Sequence, residues 1–107
     1  MSEFAGTLKE RIVIEKPVDL RTASGLQTAG WEPVARCLAA IVAEGAGAEA
    51  EAQALSAMPR FRVTIRQRDG IAVGQRVSWG GRAMLVKQRI DDPKLPDRIL
   101  LRCEEMR

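Results

Sequence analysis

Residues Arg60 to Arg68 read RFRVTIRQR, with Phe61, Val63 and Ile65 alternating with Arg60, Arg62, Thr64, Arg66 and Arg68. Successive side chains of a strand point to opposite faces, so this segment makes one apolar face and one face bearing four arginines. The stretch that follows, DGIAVGQRVSWGGRAMLV from Asp69 to Val86, continues with a turn, a short strand, a Gly80-Gly81 pair suited to a tight hairpin, and another strand. The outcome is a β-meander with a basic side.

The rest of the chain extends this pattern. RIVIE at 11–15 reads as a first strand that Pro17 ends, because proline cannot donate to a ladder. Residues 17–30 are small and polar without a clear period, and read as a long loop or loose hairpin. WEPVARCLAAIVA at 31–43 reads as a second strand. AEAEAQALSAM at 48–58 is built from strong helix formers, carries Glu49 and Glu51 in its first turn, and is stopped by Pro59. Further strands are expected at 61–68, 76–79, 83–90 and 98–104. The expected fold is mainly β: a small antiparallel barrel or sandwich of about six strands, with one short helix between the second and third. At 107 residues this is a single domain spanning 1–107.

The chain offers little chemistry. It has no His, so the usual acid–base residue near neutral pH is missing and Ser/His/Asp or Cys/His constellations cannot be built. Its two cysteines, Cys37 and Cys103, lie in apolar runs and read as buried free thiols, not as a zinc site or a disulfide framework. Gly80-Gly81-Arg82 lacks the spacing of a phosphate loop. Asp91-Asp92 and Glu104-Glu105 are neighbours that point opposite ways on a strand or sit in a solvated turn. No catalytic, cofactor-binding or metal-binding residue is expected, and no run of 18 apolar residues marks a membrane span. An enzyme is therefore a remote reading.

Function then rests on surfaces. Net charge is +3, and the 17 basic residues are mostly arginine, with lysine only at Lys9, Lys16, Lys87 and Lys94. The face of Arg60, Arg62, Arg66 and Arg68 has three readings: a solvated face offset by neighbouring carboxylates, an interface to an acidic partner, or a contact with nucleic-acid phosphate. The loop, with Leu20, Arg21, Gly25 and Leu26, is the candidate assembly element, since two leucines are too few to order about a dozen residues without a partner.

One ordered set of residues runs through nearly the whole chain. It comprises Gly6, Leu8 and Arg11-Ile12; Gly25, Trp31 and Val34; the acidic, Ala-rich segment ending at Leu55-Ser56; Val63-Thr64-Ile65-Arg66 and Ile71; Arg76-Val77 and Gly81; and Leu101 with Cys103-Glu104-Glu105. In this order the chain resembles the phage head–tail joining proteins, also called head–tail adaptor, head-closure or stopper proteins, including their gene transfer agent counterparts. The resemblance implies a small β-barrel-like domain with no catalytic residues. It implies synthesis in the bacterial cytoplasm and a place in the particle at the head–tail junction. Copies would assemble as a ring below the portal and adaptor, close the filled head, and receive the tail-terminator or tail proteins. A monomer is expected in dilute solution, with ring formation on a partner template, and any contact with double-stranded DNA in the channel would be to phosphate and independent of sequence. The alternative from another class is an OB-like nucleic-acid-binding barrel, for which only Phe4, Phe61, Trp31 and Trp79 are available as stacking groups.

Overall fold

A computed structural model of the chain describes residues 3–21, 25, 27–44 and 58–106. A short helix, α1 (Glu3–Thr7), is followed by β1 (Glu10–Arg21), β2 (Gln27–Ala43), β3 (Arg60–Arg66), β4 (Arg76–Trp79), β5 (Arg82–Ile90) and β6 (Arg98–Glu105). All neighbouring strands are antiparallel, in the order β1-β2-β3-β6-β5-β4, and β4 returns to β1 through Val13↔Ser78, Ile14↔Val77 and Glu15↔Arg76. The sheet thus closes on itself as a barrel, the arrangement that removes free sheet edges.

The alternation read from the sequence is the reason the barrel has an interior. Phe61, Val63 and Ile65 of β3 point inward opposite Cys103, Leu101 and Ile99 of β6. Val77 and Met84 meet across β4 and β5, and Ile14 faces Val77 from β1. Ile14, Val63, Ile65, Val77, Met84, Val86, Ile99 and Leu101 are all completely enclosed. At about 25 cal/mol per Å² of apolar area, this shared core is the main favourable contribution to folding. Gly80 and Gly81 have φ of 53° and 83° and connect Trp79 to Arg82, the two left-handed positions of a type I′ hairpin.

Three expectations are corrected. Of the two readings of 17–30, the pairing is that of a hairpin and not of a long loop: β1 and β2 stay paired through Lys16↔Glu32, Pro17↔Trp31, Asp19↔Ala29 and Arg21↔Gln27. Pro17 does not end β1. It lies beyond the last β4 pairing at Glu15↔Arg76, where among the described residues no strand pairs with the second edge of β1 and a missing N–H there breaks no ladder. Pro33 sits beside the register shift between Ile14 and Glu15, another position where a strand tolerates proline. Finally, β3 ends at Arg66, so Arg68 is not on the strand. The expected helix at 48–58 lies outside the described residues, apart from Met58, which is not helical. The helix among the described residues is α1.

Candidate assembly surfaces

Two surface features stand out. The first is the outer face of β3 and β6. Arg60, Arg62 and Arg66 point outward as expected, since their neighbours Phe61, Val63 and Ile65 point in. The register with β6 then places Arg62 directly opposite Arg102, and Arg66 directly opposite Arg98. Like charges opposed across a ladder are unfavourable, so each pair needs compensation. The Arg66–Arg98 pair has it: the Arg98 guanidinium lies 3.8 Å from the Phe4 ring centre and its Nε donates to Asp97 at 2.9 Å, while Arg66 lies 5.9 Å from the same ring. Asp97 is held below its usual carboxyl range, first by that Arg98 hydrogen bond. At Arg62–Arg102 only Arg102 is compensated, donating to Glu44 at 3.1 Å, and Arg62 forms no ion pair among the described residues. Val42, directly opposite Arg62 on β2, is 57% exposed, and Leu38 on the same outward side is 47% exposed.

Arg68 departs from this face. Past the strand end its backbone N–H donates to the Gln67 side chain at 3.1 Å, and its charge partly offsets the upward push that burial gives the Cys37 thiol. Of the four arginines singled out in the sequence, Arg60, Arg62 and Arg66 therefore share a surface, and Arg68 does not. Sequence reasoning missed Arg98 and Arg102 as members, because membership depends on the β3–β6 register, and it missed Leu38 and Val42 within an unbroken apolar run.

The second feature is the ribbon made by 16–21 of β1 and 27–32 of β2. Among the described residues these pair with each other and with no other strand, and none of those whose side chains are described is buried. Six residue pairs extend it about 20 Å beyond the barrel wall. Its root is fixed by a compact node: Arg76 Nε donates to Glu15 Oε1 at 2.9 Å, Ser78 Oγ donates to the same oxygen at 3.1 Å, and the Arg76 guanidinium lies 4.5 Å from the Trp31 ring centre. Arg76 first, with Ser78 helping, holds the Glu15 carboxyl below its usual range against the opposing effect of burial. Of the candidate assembly residues, Leu20 and Arg21 are on the paired end of β1, Gly25 is an exposed bend with φ of 85°, and Leu26 lies outside the described residues.

Among the described residues no group of three or more His, Cys, Asp or Glu side chains is placed to hold a metal ion, and no helix is long and apolar enough to cross a membrane. Each aromatic group has a partner: Phe4 and Phe61 are buried, half-buried Trp79 packs edge-on to Phe61 and donates to Glu10, and half-buried Trp31 has the Arg76 guanidinium over its ring.

Residues 5–106 match the family model described as phage head completion protein. The chain belongs to this family. No curated protein matches it. Among solved structures, the chain is similar to the solution structure of protein SF1141 from Shigella flexneri 2a, at 23% identity and a TM-score of 0.68, covering 94% of each chain. It is also similar to a chain in the virion of a native gene transfer agent particle, at 16% identity and a TM-score of 0.63, covering 92% of this chain and 96% of that one. At these identities the two structures establish a shared fold. Membership of the head completion family makes this chain a structural component of a phage-type particle, in contact with other virion proteins.

Proposed function

We propose that copies of this chain form a ring at the head–tail junction, beneath the portal and adaptor, where they close the DNA-filled head and receive the tail-terminator or tail proteins. The family match over residues 5–106 carries this reading. The geometry supports it physically. A closed barrel with a continuous core is a stiff block, and the ribbon rooted by Glu15, Arg76 and Trp31 is an arm held at a set angle to that block. The arm, which carries Leu20, Arg21 and Gly25 toward its end, packs on a neighbouring subunit or lines the channel. DNA passing through the ring is met at its phosphates, without base readout.

Removal of the gene from the particle-producing strain tests this. Heads are expected to lose DNA and to lack tails, with both defects repaired by supplying the chain. DNA-filled, tailed particles in its absence would overturn the proposal. The OB-like alternative requires exposed stacking platforms, whereas Phe4 and Phe61 are buried and the half-buried Trp79 and Trp31 are engaged by Phe61 and Arg76. Titration with single-stranded oligonucleotide is expected to give no saturable binding by the monomer.

A further inference from the structure

The segment α1 is held to the barrel by side chains. Phe4 and Leu8 are 7% and 5% exposed, yet neither belongs to the connected core inside the barrel. Among the described residues no backbone hydrogen bond joins α1 to a strand, and the Thr7 hydroxyl turns back to donate to the Phe4 carbonyl at 2.7 Å. Five residues are too few for a helix that holds in water on its own, and Gly6 inside it weakens it further. Docking of Phe4 and Leu8 therefore keeps this segment in place.

The seat of Phe4 is the end of β3 and the start of β6. The Arg98 guanidinium lies 3.8 Å from the ring centre, and that of Arg66 lies 5.9 Å from it. These two arginines oppose each other across the ladder, and Asp97, bonded to Arg98 at 2.9 Å, supplies one negative charge for the two. The ring face completes the compensation, so a seat without its ring leaves an opposed pair of cations under-compensated. Between α1 and β1 stand only Leu8 and the exposed Lys9. A connection this short invites an element to leave its own molecule and take the same place in another.

The geometry points to an exchange of this arm between copies of the chain: α1 of one copy seats its Phe4 on Arg98 and Arg66 of the next. The occupant follows from identity of contacts, since α1 of a second copy makes in trans the contacts that α1 makes within its own molecule. A copy that lends its arm is left with an open seat, which the arm of another copy fills. The exchange therefore runs head to tail, and it ends without an open seat when the last arm meets the first seat in a closed ring. Because the contacts are the same in both forms, they give no net drive toward association, and the dilute chain stays monomeric. Copies held side by side on a template reach the effective concentration at which exchange proceeds. Residues 3–8 span about 20 Å when extended, so only an adjoining copy can receive the arm. This inference rests on the ring proposed above and names a contact within it.

The test uses the full chain with Phe4 replaced by p-azidophenylalanine, which keeps the aromatic ring and links it under light to the group it rests on. This donor, carrying heavy nitrogen, is mixed with an unlabelled Phe4→Ala chain, whose seat is open. At high protein concentration the donor is expected to link to the unlabelled chain in the peptides that hold Arg66 and Arg98, and at high dilution to link to itself. Arg98→Ser in the acceptor is expected to reduce the intermolecular product about tenfold. The donor alone, at high concentration, is expected to give linked chains longer than the dimer. Melting curves establish that each variant is folded, and the unlabelled wild-type chain serves as acceptor if Phe4→Ala is not. Links within single chains at every concentration, or an intermolecular product indifferent to Arg98→Ser, overturn the exchange. Products that stop at the dimer show reciprocal swapping and overturn the head-to-tail order. If the exchange fails while the wild-type chain still restores tailed, DNA-filled particles, the exchange is wrong and the junction role stands. If the exchange occurs but particles do not need the chain, the junction role is wrong and the exchange stands.

Discussion

Replacing Arg76 with Ala removes the anchor of the ribbon. Arg76 and Glu15 side chains are only 25% and 15% exposed, so their 2.9 Å contact is not a solvent-screened surface pair. A hydrogen bond to a charged group contributes about 1.5–3 kcal/mol, and a guanidinium over an indole adds about 0.5–1 kcal/mol. These terms share one side chain and do not add fully, and Glu15 retains the Ser78 hydroxyl. The expected loss is about 2–3 kcal/mol, or roughly 8–15 °C in melting temperature for a domain of this size. Urea unfolding followed by circular dichroism measures it, and Trp31 fluorescence reports the node itself. Arg76→Lys keeps the charge but not the planar fork, so it should fall between wild type and Ala. The sign of the pH dependence follows from Glu15. Its folded pKa is depressed, so the stabilisation is complete above the ordinary value of 4.5 and is lost as pH falls below it through the folded value. In Arg76→Ala that acid limb should flatten. A stability loss below about 0.5 kcal/mol, together with an unchanged acid limb, would refute the view that this node fixes the ribbon.

Other consequences follow from burial and backbone geometry. Leu101→Ala removes a fully enclosed side chain and should cost about 2–5 kcal/mol by denaturant unfolding, with the smaller value if the barrel wall collapses inward. Gly81→Val places a β-branched residue at φ of 83° in the hairpin turn, and should lower stability by about 1–2 kcal/mol. The two thiols should react in separate phases with a thiol reagent: burial pushes Cys103 up to about 12, whereas half-buried Cys37 is raised by burial but eased by Arg68, so Cys37 labels first and Cys103 only on unfolding. Replacing residues 20–28 with a short Gly-Ser turn should leave the melting temperature within a few degrees, because the pairings of β1 with β4 and of β2 with β3 lie outside that segment, while blocking stable filled heads or tail attachment.

The strands from Arg60 onward were legible because β3 shows strict two-residue alternation, and the turns between β4 and β5 and after β5, which bound the remaining strands, carry Gly-Gly and Asp-Asp-Pro at the positions that need them. The ribbon was not. Val18, Ala29 and Gly30 give no periodic signal, and two prolines argue against strands unless it is known that one edge is free and that a bulge sits at Glu15. The barrel's closure through Val13–Glu15 and β4 is a long-range pairing with no local mark. Cys37 shows the same limit. Its position in an apolar run marks an inward side chain, but its half-exposure depends on where the barrel wall ends. At the arginine face, three of the four residues were identifiable from alternation. The opposed arginines of β6 and the exposed Leu38 and Val42 emerge only when the register sets β2, β3 and β6 side by side.

Cryo-electron microscopy of intact particles that contain this chain tests the central proposal most directly. The account predicts a ring of density between portal and tail into which the six-stranded barrel fits, with the ribbon of each copy reaching a neighbour or the channel. Density for the barrel elsewhere in the particle, or a junction built without it, would contradict the account.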